Sequence, residues 1–132
     1  MKTLVIIPSR MSATRLPGKP LLKINGLSII SHVSKQAEQA NIGDVIVATE
    51  DQEIVDDVKR NGFNAILTSN KHKTGTDRIY EALKKSNIKN VDLVMNLQGD
   101  EPAIDIDDIK SLNNKMVQNS SILGTLASKI KD

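Results

Sequence analysis

Short apolar runs alternate with longer amphipathic stretches along this chain, and this alternation restricts the possible fold more than any other feature. Five apolar runs predict strands, at residues 3–8, 44–49, 63–67, 91–97 and 121–127. Four stretches place apolar residues on one face of a helix, at residues 28–40, 52–60, 76–85 and 106–117. Strands that alternate with helices form βαβ units around a mostly parallel sheet. We therefore expect an α/β fold.

Composition limits the kinds of protein that this chain can be. Its 132 residues, 39% of them hydrophobic, suit one globular domain. One Phe, one Tyr and no Trp provide few aromatic platforms for bases, so we expect no nucleic-acid partner. The net charge of +2 excludes a broad basic surface, so that any anion site must be local. The absence of Cys fits a cytoplasmic protein, and no apolar run is long enough to predict a membrane span.

Residues 8–20, which we call the cationic loop, follow the first predicted strand. Arg10, Arg15 and Lys19 lie in this segment, which ends on Pro-Gly-Lys-Pro. Arg forms forked hydrogen bonds with phosphate oxygens, and open α/β sheets bind ligands at the carboxyl ends of strands. The loop therefore predicts a nucleoside triphosphate site, with a solvated basic surface as the alternative. Neither Gly-x-x-x-x-Gly-Lys-Ser/Thr nor Gly-x-Gly-x-x-Gly occurs, which disfavours P-loop NTPases and dinucleotide-binding enzymes.

A second polar stretch, at residues 96–102, ends the strand predicted at 91–97. Its sequence is Asn-Leu-Gln-Gly-Asp-Glu-Pro. Proteins typically hold Mg²⁺ with one or two carboxylates, together with substrate phosphates and water. Asp100 is therefore a candidate magnesium ligand. The alternative is that Asp100 caps a backbone N–H group in a Gly-Asp turn.

Two further stretches have the pattern of helix N-termini. Thr74 and Asp77 have the spacing of a capping box, and the free N–H groups at such a helix start can also bind a ligand. Arg78 lies in the first predicted turn, where its charge opposes the helix dipole, which favours a ligand role. After the second predicted strand, Thr49 or Asp51 is expected to cap the next helix.

Four motifs, taken in order, resemble those of one enzyme family. They are Ile-Ile-Pro-Ser-Arg-x-x-x-Thr-Arg-Leu-Pro-Gly-Lys-Pro-Leu, Val-Ala-Thr, Thr-Gly-Thr-Asp-Arg and Asn-Leu-Gln-Gly-Asp-Glu-Pro. Over residues 3–127 the chain resembles the 3-deoxy-manno-octulosonate cytidylyltransferases, or CMP-Kdo synthetases. The first motif is shared with other sugar nucleotidyltransferases. The last two are more specific to the Kdo enzymes.

The resemblance implies a fold, a reaction and a metal ion. The fold is a Rossmann-like three-layer α/β/α arrangement with a mostly parallel sheet, of the nucleotide-diphospho-sugar transferase type. The reaction is Mg²⁺-dependent transfer of a cytidylyl group from CTP to 3-deoxy-D-manno-octulosonate (Kdo). Its products are pyrophosphate and CMP-Kdo, which is used in lipopolysaccharide biosynthesis. Catalysis of this kind depends on positioning and charge stabilisation.

Matching positions in the motifs imply roles for individual residues. Arg10, Lys19 and Asp100 would take part in catalysis, and Asp100 would ligate the metal. Arg78 and Gln98 would contact the substrate. The nucleotide would be bound by Pro8, Ser9, Arg10, Arg15, Lys19, Thr74, Gly75 and Gln98.

The chain departs from the family at two positions and in length. Ser9 stands where the family usually has Ala, and Met11 where it usually has Tyr. Family members are longer, so we expect residues 1–132 to be the nucleotide-binding half, without the sugar-binding and dimerisation part of a homodimeric enzyme. Another acidic sugar, such as 8-amino-Kdo or an acylneuraminate-like compound, is the alternative acceptor. A nucleotide-binding unit without catalysis is the alternative function.

Overall fold

The computed structural model describes residues 2–11, 18–69, 75–98, 105–119 and 123–125. Its strands are β1 (Thr3–Ser9), β2 (Lys23–Ile24), β3 (Leu27–Ser28), β4 (Gly43–Thr49), β5 (Ala65–Leu67), β6 (Leu93–Asn96) and β7 (Leu123–Thr125). Its helices are α1 (Ile29–Gln39), α2 (Gln52–Arg60), α3 (Gly75–Lys85) and α4 (Ile106–Asn119), with a short 3-10 helix at Lys19–Leu21. Within these ranges, no helix combines the length and the apolar character that crossing a membrane requires.

A five-stranded parallel sheet forms the middle layer, with the strands in the order β5-β4-β1-β6-β7. The chain moves outward from β1 through β4 to β5. It then returns to the other side of β1 and adds β6 and β7. The direction of strand addition therefore reverses between β1 and β6. In open α/β sheets, such a reversal opens a crevice at the carboxyl ends of the two strands.

Helices cover both faces of this sheet. α1, α2 and α4 pack on the face that contains Val5 and Ile7 of β1. α3 packs on the face that contains Leu4 and Ile6. Successive side chains of a strand alternate between its faces, so the whole apolar run of β1 is buried. This arrangement confirms the three-layer α/β/α fold with a mostly parallel sheet.

The four predicted helices and five predicted strands are present, with shifted ends. The strand predicted at 63–67 begins later, at Ala65, because Phe63 takes part in the C-terminal cap of α2. The Phe63 N–H donates to the Val58 carbonyl oxygen at 3.0 Å, and the Gly62 N–H donates to that of Lys59, also at 3.0 Å. With Gly62 at φ 87°, these bonds form a Schellman motif.

The Asn-Gly pair at residues 25 and 26 forms a tight turn before α1, the structure that this pair of residues indicates. β2 and β3 pair as an antiparallel hairpin, and Asn25 and Gly26 between them have φ angles of 54° and 82°. A type I′ turn requires positive φ at both central positions, which Asn and Gly adopt most easily. The hairpin leads directly into α1, where the Ser31 N–H donates to Ser28 Oγ at 3.2 Å and thereby caps the helix.

Candidate functional site

Two of the predicted ligand-binding stretches leave the sheet where the strand order reverses. β1 leads into Arg10, and β6 leads into Gln98. Because Ile6 of β1 pairs with Asn96 of β6, Gln98 and Pro8 come at the same level of the two neighbouring strands. The strand order therefore brings together two stretches that lie far apart in the sequence.

The predicted residues at this edge differ in their exposure to solvent. Arg10 and Gln98 are exposed, whereas Pro8 and Lys19 are half-buried. Ser9 is buried, with 8% of its surface exposed. Lys19 begins the short 3-10 helix in which the cationic loop ends. An exposed guanidinium group beside the crevice is accessible to an anion from solvent.

Other predicted site residues cannot be located in the same way. Arg15, Thr74 and Asp100 lie outside the residues that the structure describes. Gly75 is the first residue of α3. The roles of these four residues rest on the motif match and stay predictions.

Arg78, in the first part of α3, is buried rather than solvated. Only 5% of its surface is exposed, and its Nη2 lies 3.9 Å from Oε1 of Glu50, the residue that follows β4. Among the described residues, its Nε has no hydrogen-bond partner. A buried donor without an acceptor typically costs about 1–3 kcal/mol, so Arg78 is a candidate contact for a ligand.

Two buried oxygen atoms at the same edge also lack a hydrogen-bond partner within the described ranges. They are Asn96 Oδ1, at the end of β6, and Thr68 Oγ1, just after β5. Val94 lies on the face covered by α3, and alternate residues of a strand share a face, so Asn96 lies on that face as well. The sequence analysis assigned no role to either residue, although Asn96 is the first residue of the polar stretch at 96–102. For Asn96 the available signal was a polar residue inside an otherwise apolar strand.

The start of α2 also differs from its prediction. Asp51 precedes α2 but makes no side-chain cap, and its own N–H donates to Thr49 Oγ1 at 3.1 Å. Asp51 occupies the predicted N-cap position, but the expectation that the side chain of Thr49 or Asp51 caps this helix is wrong. Instead, the Asp51 carboxylate accepts a hydrogen bond from the Met11 N–H in the cationic loop, at 2.8 Å. β1 and β4 are neighbours with Ser9 paired to Thr49, which brings these two segments side by side.

A cavity of about 370 Å³ lies at the opposite, amino edge of the sheet. Its lining includes Asp44, Ile46, Lys59 and Ser86. The buried polar atoms without partners lie at the carboxyl edge, so we place the candidate site there rather than in this cavity. Burial also raises the pKa of the Glu38 carboxyl, but Glu38 lies in the last turn of α1, away from the candidate site.

Within the described part of the chain, no group of three or more His or acidic side chains could hold a metal ion. The predicted ligand, Asp100, lies outside that part.

Comparison with known proteins identifies the family. The family model for cytidylyltransferases matches residues 4–132. The chain belongs to the cytidylyltransferase family. Among curated proteins, it is 48% identical to the 3-deoxy-manno-octulosonate cytidylyltransferase of Rhodopseudomonas palustris over 130 residues, which cover 98% of this chain and 53% of that protein. The corresponding protein of Nitrobacter winogradskyi is 47% identical over 130 residues, 98% of this chain and 51% of that protein.

Solved structures of other proteins share the fold of this cytidylyltransferase chain. A structure of CMP:2-keto-3-deoxy-manno-octonic acid synthetase complexed with CTP matches with a TM-score of 0.82 and 41% identity, over 92% of this chain and 49% of that one. Rv0371c from Mycobacterium tuberculosis in complex with manganese shares the fold, with a TM-score of 0.60 at 13% identity, over 85% of this chain and 57% of that one. The resemblance that the motifs indicated is thus confirmed. The chain spans about half the length of the curated relatives it matches.

Proposed function

We propose that this cytidylyltransferase chain is the nucleotide-binding half of an enzyme that transfers a cytidylyl group from CTP to Kdo, with CMP-Kdo and pyrophosphate as products. One observation carries the proposal: the cationic loop and Gln98 leave the sheet on either side of its switch point. The 41% identity to a synthetase complexed with CTP supports CTP as the nucleotide for this crevice. The product would serve lipopolysaccharide biosynthesis in the cytoplasm.

Charge and position account for the proposed chemistry. The anomeric hydroxyl of the sugar acid would lose its proton to solvent as its oxygen forms a bond to the α-phosphorus of CTP. The bond from that phosphorus to the oxygen that bridges the α- and β-phosphates would break as pyrophosphate leaves. Arg10, Arg15 and Lys19 would bind the triphosphate and offset the negative charge that develops on the leaving group. Gln98 and Arg78 would contact the substrate, and the backbone at Pro8 and Ser9 would line the nucleotide site. Thr74 and Gly75 would lie near the cytosine.

We include Mg²⁺ in the proposal, with Asp100 as its ligand. When bound, the ion would neutralise part of the triphosphate charge. Replacing Asp100 with Asn is expected to abolish any difference between CTP affinities measured in Mg²⁺ and in EDTA. Asp107, an exposed carboxylate in the first turn of α4, gives the matched control Asp107→Asn, which should preserve that difference. A metal dependence that survives in Asp100→Asn would indicate that Asp100 is a turn cap.

Isothermal titration calorimetry of CTP into this chain, with ATP as the control nucleotide, tests the nucleotide-binding half of the proposal. We expect CTP to bind more tightly than ATP, since the chain belongs to a family named for cytidylyl transfer. A folded chain that binds neither nucleotide at millimolar concentration would contradict the proposal for this polypeptide.

Pyrophosphate release distinguishes an enzyme from a binding unit. Release with CTP and Kdo, but not with CTP alone, would support catalysis. Release that is faster with 8-amino-Kdo or an acylneuraminate-like acid would change the proposed acceptor. CTP binding without release would support a nucleotide-binding unit, for which residues 1–132 are the proposed boundaries. The homodimeric state of longer relatives stays a prediction.

A further inference from the structure

Both polar groups of the Met11 backbone are held by hydrogen bonds. The Met11 N–H donates to Asp51 Oδ2 at 2.8 Å, and the Met11 carbonyl oxygen accepts from the Gly18 N–H at 3.0 Å. The second bond joins the two ends of the segment between Met11 and Gly18. The first bond ties this base of the cationic loop to the start of α2. Gly18 has φ 81°, and a Cβ there would lie 3.5 Å from Met11 Cε, so the two ends also lie in close contact.

The Asp51 side chain does not make the contact that its position usually favours. An Asp just before a helix commonly accepts from an N–H of the first turn, an interaction typically worth about 1 kcal/mol. Asp51 makes no such bond, and only its carbonyl oxygen takes part, accepting from the Ile54 N–H at 3.1 Å and from the Val55 N–H at 3.3 Å. Its carboxylate instead contacts a loop 40 residues earlier in the chain. Local departures of this kind are expected where a residue serves a functional site.

The negative charge of Asp51 distinguishes an electrostatic effect on polyphosphate binding from a geometric one. Its carboxylate is hydrogen-bonded to the residue that follows Arg10, so by Coulomb repulsion alone it would weaken the binding of a polyphosphate. Any benefit to binding must therefore come from geometry. We propose that Asp51 is a positioning residue that fixes the base of the cationic loop and so holds Arg10 and Lys19 in place for the polyphosphate. This inference rests on the proposed function, because it takes the loop to be a triphosphate site.

Two substitutions at Asp51 separate geometry from charge, with inorganic tripolyphosphate as the calorimetric probe. Asp51→Asn removes the charge but keeps an oxygen acceptor, whereas Asp51→Ala removes both. We expect Asp51→Ala to bind tripolyphosphate about tenfold more weakly than the unsubstituted chain, the effect of losing one charge-assisted hydrogen bond. We expect Asp51→Asn to bind at least as tightly as the unsubstituted chain.

Two results would overturn the positioning role. Binding by Asp51→Ala that equals or exceeds that of the unsubstituted chain would show that charge alone acts. Equally weak tripolyphosphate binding by Asp51→Asn and Asp51→Ala would show that the oxygen acceptor at residue 51 does not determine the affinity. Glu53 is the matched control, since it is an exposed acid in the first turn of α2. We expect Glu53→Ala, which removes the same charge from the same helix end, to change tripolyphosphate affinity less than about twofold.

The Met11 amide provides a readout that needs no ligand. Its hydrogen exchange, followed by NMR, is expected to be about tenfold faster in Asp51→Ala and to be largely restored in Asp51→Asn, with unchanged circular dichroism. If the chain does not bind CTP but tripolyphosphate binding and Met11 exchange follow this pattern, the proposed function fails and the role of Asp51 stands. If CTP binds but Met11 exchange is unchanged in Asp51→Ala, the role of Asp51 fails and the proposed function stands.

Discussion

Arg10→Ala is expected to weaken CTP binding by about ten- to a hundredfold and to leave cytidine binding unchanged. Arg10 is exposed at the carboxyl end of β1, beside the crevice between β1 and β6. A hydrogen bond to a charged group typically contributes about 1.5–3 kcal/mol, which corresponds to this change in affinity. Cytidine lacks the phosphates, so its affinity should not depend on the Arg10 side chain. Calorimetry with CTP and cytidine measures both affinities.

Arg60→Ala is the matched control for this prediction. Arg60 is exposed in the last turn of α2, which runs back toward the amino edge of the sheet. The two variants lose the same charge, so a general electrostatic effect would weaken CTP binding equally in both. Raising the salt concentration should reduce the difference between Arg10→Ala and the unsubstituted chain, because ions screen exposed charges. An equal loss of CTP and cytidine affinity in Arg10→Ala would indicate a structural role instead.

Gly43→Ala is expected to lower the free energy of unfolding by about 2–3 kcal/mol, because relief of a steric clash with a neighbouring strand requires a backbone shift. Gly43 begins β4 and pairs with Thr3 of β1. A Cβ at Gly43 would lie 1.9 Å from the Thr3 carbonyl oxygen and 2.9 Å from the Thr3 carbonyl carbon. Both are backbone atoms, so β1 and β4 would have to move apart. Urea denaturation followed by circular dichroism measures the change.

Gly62→Ala separates this steric clash from the general cost of replacing a glycine. Gly62 has φ 87°, and a Cβ there would meet no atom within 4 Å. The substitution is therefore expected to cost only the left-handed backbone strain of a non-glycine residue, about 1 kcal/mol. A loss in Gly43→Ala no greater than that in Gly62→Ala would contradict the close approach of β1 and β4. The clash lies at the amino edge, so CTP affinity should be retained in folded Gly43→Ala.

Much of the candidate site could be predicted because strand ends are visible in the sequence. The cations after β1 and the amide after β6 follow apolar runs, and parallel strands place such ends on one edge. Arg78 was predicted as a ligand contact, but its burial beside Glu50 was not. Asp51 was predicted to cap α2 because the local pattern suits that role. Its contact with Met11 depends on a neighbouring strand, which a local pattern does not describe.

The sequence by itself determined the elements, the fold class and the family. Apolar periodicity defined the helices and strands, Asn25 and Gly26 defined the turn, and four motifs indicated the cytidylyltransferases, because all of these signals are carried by residues close together in the chain. Only the tertiary structure decided which strands are neighbours. That order brings Gln98 beside Pro8 and Asp51 beside Met11, and it gives Gly43 no room for a side chain. These contacts join segments separated by tens of residues, so they arise from the packing of the whole sheet.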